Sequence, residues 1–230
     1  LASVWLKNRC GYINKTGEML STKIKFDNCS DFSEGLAAVE LNGKSGYINT
    51  KGEVVINCIY QDALDFHQGI APVRLNLKWG FIDKTGKIVV KPRYHSIWWL
   101  DNGKAFVQLE DLTWRFVNEK GSVDLYKEYE DIEYFDGKLW AVKEWGLWGF
   151  VDCQGETVVE AKFNDILRYG DELMLVEIDN LWGIMRNNAE MEVVPQFNEI
   201  RYPEEGYSVV RKGNFFGILK TNGKIITDTF

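Results

Sequence analysis

Several residue types and patterns are scarce in this chain of 230 residues, and each shortage excludes a class of protein. With only 2 histidines, and with 4 cysteines that form no C-x-x-C pair, the chain lacks the closely spaced ligands of a zinc site. No long apolar run occurs and 27% of the residues are charged, which excludes a membrane-spanning helix. The net charge is −7, so the chain lacks the basic surface that neutralises phosphates, and we expect no nucleic acid partner.

The four cysteines are spread along the chain: Cys10, Cys29, Cys58 and Cys153. We expect them to be buried free thiols. One disulfide in an exported protein is the alternative, because disulfides persist only in oxidising compartments.

Hydrophobic residues are abundant, at 45% of the chain, and 9 of them are tryptophans. A chain of this length can bury about 70% of the surface that it exposes when unfolded. We therefore treat residues 1–230 as one domain with a sizeable core.

Internal repetition is the strongest pattern in the sequence. An anchor position recurs every 34 or 35 residues, holds glycine in six copies and arginine in one, and follows tryptophan in four: Gly11, Gly46, Gly80, Arg115, Gly149, Gly183 and Gly217. Seven residues before each anchor, or eight before Arg115, stands a valine: Val4, Val39, Val73, Val107, Val142, Val176 and Val210. Spacing this regular indicates seven tandem copies of one structural unit.

Each copy has the pattern of three short antiparallel strands. The valine ends a first strand, and a tight turn follows, such as Asn42-Gly43 or Gly213-Asn214, whose residues favour the primed turns of two-residue hairpins. Two apolar residues come after the anchor, then a four-residue turn such as "DKTG" and a third strand such as "KIVV". The remaining dozen residues hold either a fourth short strand or an irregular connection.

Neighbouring apolar residues in these strands predict that both faces of each sheet are covered. Phe81 and Ile82, for example, must point to opposite faces because side chains alternate along a strand. A three-stranded meander cannot cover both of its own faces, so each copy should pack between its neighbours. The tryptophans before the anchors should each contribute about 2–3 kcal/mol to that packing: Trp79, Trp114, Trp148 and Trp182.

The anchor glycine is expected to act through its lack of a side chain. Glycine lets a neighbouring backbone or indole approach closely. Arg115 argues against a need for positive φ at the anchor, since an arginine would be strained there. We therefore expect extended backbone at the anchors and a local distortion in the fourth copy.

The recurring pattern W-G-[YF]-[IV]-[DN]-x-x-G-x-[VI]-[VI], followed by Y-x-x-[AI] and preceded by a strand like G-x-A-x-V, resembles the WG-containing β-rich repeat family. The resemblance covers all 230 residues, although single copies are degenerate. Cys10, Ser45 and Phe216 replace the tryptophan, and "RNNA" at 186–189 lacks the turn glycine. The resemblance implies a repeat scaffold, typically without assigned catalysis.

Two arrangements of the seven copies are open. Small all-β repeats either close into a β-propeller-like ring or continue as an open solenoid-like array. Neither end of the chain has the polar character of a capping repeat. Seven also lies within the usual number of propeller blades. We favour the ring and keep the open array as the alternative.

The sequence contains no nucleophile elbow, phosphate-binding glycine loop or H-E-x-x-H motif. His67 and His95 fall where structural or solvated roles are expected, and the acidic stretch 126–136 does not match the spacing of a calcium loop. Asp83 and Asp152 recur with the turns, where they accept backbone hydrogen bonds. We therefore predict no catalytic residue, no metal and no cofactor.

Five tryptophans lie outside the WG position and are the candidate binding residues: Trp5, Trp98, Trp99, Trp140 and Trp145. Trp5 occupies a place that is polar or charged in the other copies, so it should cover an interface or a preceding segment. The other four either fill gaps near the arginine-containing copy, or two or more of them form an exposed aromatic patch. Exposed indoles anchor protein interfaces, and their flat faces also stack on sugar rings.

These features predict a non-enzymatic all-β repeat domain that binds a protein or peptide partner, as a module of a bacterial envelope or secreted protein. A carbohydrate-binding module that uses exposed tryptophans is the alternative function. An envelope or extracellular location is favoured over the cytoplasm.

Overall fold

The computed structural model describes residues 1–6, 9–20, 25–99, 104–118, 122, 127–136, 139–169, 172–220 and 224–226. Within these ranges the chain forms strands, turns and bends and no helix, which confirms the all-β class. The chain divides into two compact units, residues 1–127 and residues 128–230. That residues 1–230 form one domain stays a prediction. That the seven copies form a ring, with an open array as the alternative, also stays a prediction.

The described strands of the first unit form four antiparallel sheets, which we number 1 to 4. Sheet 1 contains β1 (Ala2–Leu6) and β2 (Arg9–Ile13). Sheet 2 contains β3 (Asn28–Cys29), β4 (Leu36–Leu41), β5 (Lys44–Asn49) and β6 (Val54–Tyr60). Sheet 3 contains β7 (Asp62–Ala63), β8 (Ile70–Leu75), β9 (Lys78–Asp83) and β10 (Ile88–Tyr94). Sheet 4 contains β11 (Ser96–Trp99), β12 (Ala105–Gln108) and β13 (Trp114–Val117).

The described strands of the second unit form three further antiparallel sheets, numbered 5 to 7. Sheet 5 contains β14 (Asp131–Asp136), β15 (Leu139–Glu144), β16 (Leu147–Asp152) and β17 (Thr157–Phe163). Sheet 6 contains β18 (Asp165–Arg168), β19 (Leu173–Ile178), β20 (Leu181–Arg186) and β21 (Met191–Phe197). Sheet 7 contains β22 (Glu199–Ile200), β23 (Tyr207–Lys212) and β24 (Phe215–Lys220).

In the first six repeats, the segment that ends the repeat, left open by the sequence, does contain a strand, but that strand belongs to the next sheet. In sheet 3, for instance, β7 follows the β6 strand of sheet 2 directly and pairs antiparallel with β8. The WG hairpin of β8 and β9 then leads to β10 at the opposite edge. Sheets 2, 3, 5 and 6 share this four-stranded order.

The repeat valines and the anchors, recognised in the sequence by spacing alone, are cross-strand partners in every sheet. The pairs are Val4 with Gly11, Val39 with Gly46, Val73 with Gly80, Val107 with Arg115, Val142 with Gly149, Val176 with Gly183, and Val210 with Gly217. Each sheet therefore contains one valine–anchor pair, so the sheets recur along the chain with the spacing of the sequence repeats.

In the four-stranded sheets, the anchor glycine faces a bulge in the last strand of its own sheet. In sheet 6, Trp182 pairs with Phe197 and Ile184 pairs with Val193, so three residues of β21 lie opposite Gly183 alone. A Cβ atom on Gly183 would lie 2.5 Å from the Val193 carbonyl oxygen. The anchor glycines do not have positive φ, so lack of bulk, as predicted, is their role.

Sheet 4 departs from the others, as Arg115 predicted. The loop between β12 and β13 is longer than in the other WG hairpins, and it closes with a hydrogen bond from the Leu112 N–H to the Leu109 carbonyl. Within the described residues this sheet has three strands and no bulged strand after β13. A bulge as close as that in sheet 6 would collide with the Arg115 side chain.

The turns have the predicted primed geometry. Asn42 and Gly43 have φ of 52° and 71°, which are the left-handed values of a type I′ turn. The second turn of each repeat usually places glycine at positive φ, as at Gly86. Ala189, where "RNNA" lacks that glycine, adopts φ of 69° nonetheless. Register against the neighbouring strands therefore overrides the local preference of alanine.

Successive sheets within each unit cover the apolar faces between them, as the sequence predicted. The prediction is wrong for the far face of sheet 7, where Tyr207, Val209 and Ile218 are 39–45% exposed. One cluster joins Phe150 of sheet 5 to Val176 and Met185 of sheet 6, and another joins Ile184 of sheet 6 to Leu219 of sheet 7. Corresponding clusters join sheets 1 and 2, sheets 2 and 3, and sheets 3 and 4. Within each unit, the core is thus a series of layers between successive sheets.

Candidate functional site

One packing position recurs between successive sheets, and we call it the tryptophan slot. It holds the tryptophan before the anchor on one sheet and an isoleucine from the short first strand of the next. Three interfaces fill it in this way: Trp79 with Ile97, Trp148 with Ile166, and Trp182 with Ile200. The slot explains why the tryptophan precedes the anchor, since from there its ring reaches the next sheet.

The slot between sheets 1 and 2 holds a disulfide. Cys10 takes the place of the tryptophan, Cys29 takes the place of the isoleucine, and their Cα atoms lie 6.0 Å apart. The free-thiol interpretation is therefore wrong for this pair. The repeat brings together two residues that are 19 positions apart in the sequence, which spacing alone did not reveal.

The slot between sheets 2 and 3 is open. Ser45 replaces the tryptophan, and Ala63 occupies the place of the isoleucine on β7. A cleft of about 200 Å³ remains between the two sheets, and both residues line it. We call it the Ser45 cleft.

The Ser45 cleft is acidic. Glu40, the cross-strand partner of Ser45, lines it, as do Asn28 beside Glu40 and Asp62 on the facing sheet. Among the described residues that line the cleft, none is basic.

The wall of the cleft is fixed by a hydrogen bond between sheets. The Tyr47 hydroxyl on β5 donates to the carbonyl oxygen of Leu64, which follows β7, over 2.6 Å. Burial raises the pKa of the Tyr47 phenol, and the charges of Asp65 and Asp62 add to the rise. The phenol therefore stays protonated and keeps donating, which holds the short strand of sheet 3 beside sheet 2.

A second candidate site lies at the turn between β15 and β16, where Trp145 is 92% exposed. Trp145 has φ of 54° and Gly146 has φ of 77°, so an indole occupies a left-handed position that favours asparagine or glycine. The Glu130 carboxylate accepts a hydrogen bond from the Gly146 N–H, at 3.1 Å and 3.2 Å to its two oxygens. This hydrogen bond fixes the turn in a conformation in which Trp145 faces solvent.

The same kind of hydrogen bond, from a turn N–H to an upstream side chain, recurs in other WG hairpins. The donor is a turn N–H and the acceptor is a side chain 15 or 16 residues upstream: Asn42 to Asp27, Leu77 to Gln61, Asp179 to Asn164, and Gly213 to Asn198. Leu77 and Leu112 are further apolar residues at positive φ in such turns, at 63% and 59% exposure. Exposed apolar residues in strained turns are therefore a repeated feature of these hairpins.

The other candidate tryptophans differ in exposure. Trp5 and Trp98 are 60% and 46% exposed, while Trp140 is buried, with 3% exposure. Trp140 cannot belong to an exposed patch, because its ring packs against Tyr134, the residue opposite on β14, at 5.0 Å between centroids. Trp99 lies in β11, and its side chain lies outside the described residues. Binding by the exposed members stays a prediction.

The described part of the chain contains no group of three histidine, cysteine, aspartate or glutamate side chains placed to hold a metal ion. It also contains no helix long and apolar enough to cross a membrane. Asp83 accepts hydrogen bonds from the Thr85 hydroxyl and backbone, which lower the pKa of its carboxyl group. That aspartate is a turn residue, as predicted.

Solved structures of low sequence identity resemble this chain. BamB from Moraxella catarrhalis has 11% identity and a TM-score of 0.42 over 99% of this chain and 84% of that chain. A eukaryotic initiation factor has 13% identity and a TM-score of 0.48 over 96% and 70%. The C-terminal WD40 domain of Sif2 has 12% identity and a TM-score of 0.36 over 94% and 75%.

Comparison by sequence is more specific. No curated protein matches the chain. A family model described as "WG containing repeat" matches five segments: residues 11–44, 46–79, 79–112, 148–182 and 182–214. Because these segments cover most of the chain and begin at or next to the anchors found above, the chain belongs to the WG-containing repeat family.

Proposed function

We propose that this protein is a non-catalytic repeat scaffold that binds a protein or peptide partner through the turn edge of its second unit. The observation that carries the proposal is Trp145, an almost fully exposed indole at a left-handed backbone position. Both properties cost free energy in the isolated protein, and strained positions of this kind cluster at functional sites. Contact with a partner would bury the indole and offset that cost.

Trp145 has the properties of an interface anchor. Tryptophan is among the residues that most often dominate binding energy at interfaces. Because the Glu130 carboxylate pins the turn, little order has to be imposed on it when a partner binds.

A further apolar residue on the same unit favours a partner larger than one sugar. Phe215, next to the turn between β23 and β24 of sheet 7, is 58% exposed. Sheets 5 and 7 both pack against sheet 6, and each has an exposed turn in its WG hairpin. Face-to-face sheets pack about 10 Å apart, so sheets 5 and 7, with sheet 6 between them, are separated by roughly 20 Å. A peptide or a protein loop spans that distance.

The variant Trp145→Asn tests the proposal. We expect partner affinity to fall at least 10-fold, because an anchor of this kind contributes about 2 kcal/mol or more. We also expect the free energy of unfolding to rise by about 1 kcal/mol, since asparagine suits the first position of a type I′ turn. Quantitative affinity capture from extracts of the source organism, then titration of the purified partner, measures the first effect, and urea unfolding measures the second.

Asp179→Asn is the matched control, because Asp179 occupies the equivalent turn position of sheet 6 without an indole. It should leave capture unchanged. Equal capture by wild type and Trp145→Asn would contradict the proposal. Loss of glycan-array binding in Trp145→Asn, without loss of any protein partner, would favour the carbohydrate-binding alternative.

We also propose that the protein works in an oxidising compartment, such as a bacterial envelope or the extracellular space. The disulfide between Cys10 and Cys29 supports this, because reducing cytosol does not maintain structural disulfides. Thiol alkylation in intact cells, followed by mass spectrometry, should leave both cysteines unmodified. Alkylation of both residues in the native protein would count against the proposed location.

A further inference from the structure

We propose that the Ser45 cleft is a binding site for a small aromatic cation, meaning one ring system that carries a protonated amine. The site is independent of Trp145, which lies in the other unit.

The shape of the cleft follows from what fills the same slot elsewhere. The slots that contain Trp79, Trp148 and Trp182 each hold an indole between two sheets. Between sheets 2 and 3 both contributors are small, with Ser45 on one side and Ala63 on the other, and about 200 Å³ is left open. Pockets for drug-sized ligands enclose about 300–1,000 Å³, so this cleft suits a smaller molecule built around one flat ring system.

The charge of the cleft selects among such molecules. Glu40 and Asp62 both line it, and no basic residue is among its described lining residues. A carboxylate near a bound ring favours a cationic ligand and disfavours an anionic one.

Sheet 5 shows the same pairing of ring and cation within the protein. Lys143 is the cross-strand partner of Trp148, and its Nζ atom lies 5.4 Å from the centroid of the indole. The corresponding pair in sheet 2 is Glu40 and Ser45, which supply neither ring nor cation. A ligand that brings both would occupy the slot with its ring and place its ammonium group against the Glu40 carboxylate.

The cleft is also held in shape before any ligand arrives. The hydrogen bond from Tyr47 to the Leu64 carbonyl links its two walls. The disulfide at Cys29 ties β3, which contributes Asn28 to the lining, to sheet 1. Fixed walls reduce the ordering that binding requires.

Titration of the full chain with tryptamine, followed by backbone amide NMR, tests the proposal. We expect saturable shifts at Ser45 and Ala63 with a Kd of about 1 mM or tighter, the range of a ligand with about a dozen heavy atoms. Indole, which is neutral, should bind about 10-fold more weakly, and indole-3-acetate should bind more weakly still. The absence of saturable shifts with tryptamine, or equally tight binding of indole-3-acetate, would overturn the proposal.

Three variants separate the contributions of shape and charge. Ser45→Trp fills the slot as other repeats do, so it should abolish tryptamine binding and raise the unfolding temperature. Ala63→Ile narrows the cleft from the opposite sheet and should weaken tryptamine at least 10-fold, which provides a second test if Ser45→Trp misfolds. Glu40→Gln should weaken tryptamine about 5-fold and leave indole unchanged. Tryptamine shifts that persist unchanged in Ser45→Trp and Ala63→Ile would refute the site.

Discussion

Replacing Gly183 with alanine is expected to lower the free energy of unfolding by about 2–4 kcal/mol. The new Cβ atom would lie 2.5 Å from the Val193 carbonyl oxygen and 2.7 Å from the Pro195 nitrogen. Both atoms belong to the backbone of the bulge in β21, so relief requires moving a strand and not merely a side chain. Urea unfolding, followed by tryptophan fluorescence, measures the loss.

Gly11→Ala is the matched control within the same motif. At Gly11 the nearest atom to an added Cβ is the terminal Cε of Met19, at 2.9 Å, which is the far end of a flexible side chain. We expect a loss of less than about 1 kcal/mol there. If both variants lost the same free energy, the anchor glycine would not be explained by the bulge that it faces.

Removing the disulfide with the double variant Cys10→Ala/Cys29→Ala is expected to cost the first unit about 3 kcal/mol. The bond closes a loop between residues 19 positions apart, and its loss frees that loop in the unfolded chain. It also leaves the slot between sheets 1 and 2 without filling. Chemical unfolding of the wild type and the double variant under non-reducing conditions measures the difference.

Reduction provides the control for this prediction. A phosphine reductant should shift the unfolding midpoint of the wild type toward that of the double variant and leave the double variant unchanged. Cys58 contributes no such effect, because its thiol lies outside the bridge. An unfolding midpoint of the wild type that is insensitive to reduction would contradict the assigned pairing.

The repeat architecture could be predicted from the sequence because the copies share the same strand valine, the same anchor position and similar turn residues. Val39 and Gly46 were recognised by spacing alone, and the structure pairs them across two strands. Arg115 was sufficient to predict extended backbone at the anchors, since arginine does not tolerate the alternative. The turn Asn42-Gly43 was predicted from the residues that type I′ turns require.

The tryptophan slot could not be predicted because it joins residues of two different sheets. Ser45 was visible as a departure from the WG pattern, but the cleft also depends on Ala63, which belongs to the following sheet. Aligning the short strands with one another would have revealed it, since Ile97, Ile166 and Ile200 occupy the place of Ala63. Trp140 was named as a candidate binding residue because the sequence did not show that Tyr134, opposite it on β14 of the same sheet, packs against its ring.

The boundaries of the sequence repeats differ from the boundaries of the sheets, and this has a consequence for how such genes change length. The matched segment 46–79 begins on β5 of sheet 2 and ends on β9 of sheet 3, so one sequence repeat contains strands of two different sheets. Deleting or duplicating one whole period joins the first part of one sheet to the matching second part of another. Every sheet in the product then still receives its full set of strands, wherever the recombination point falls.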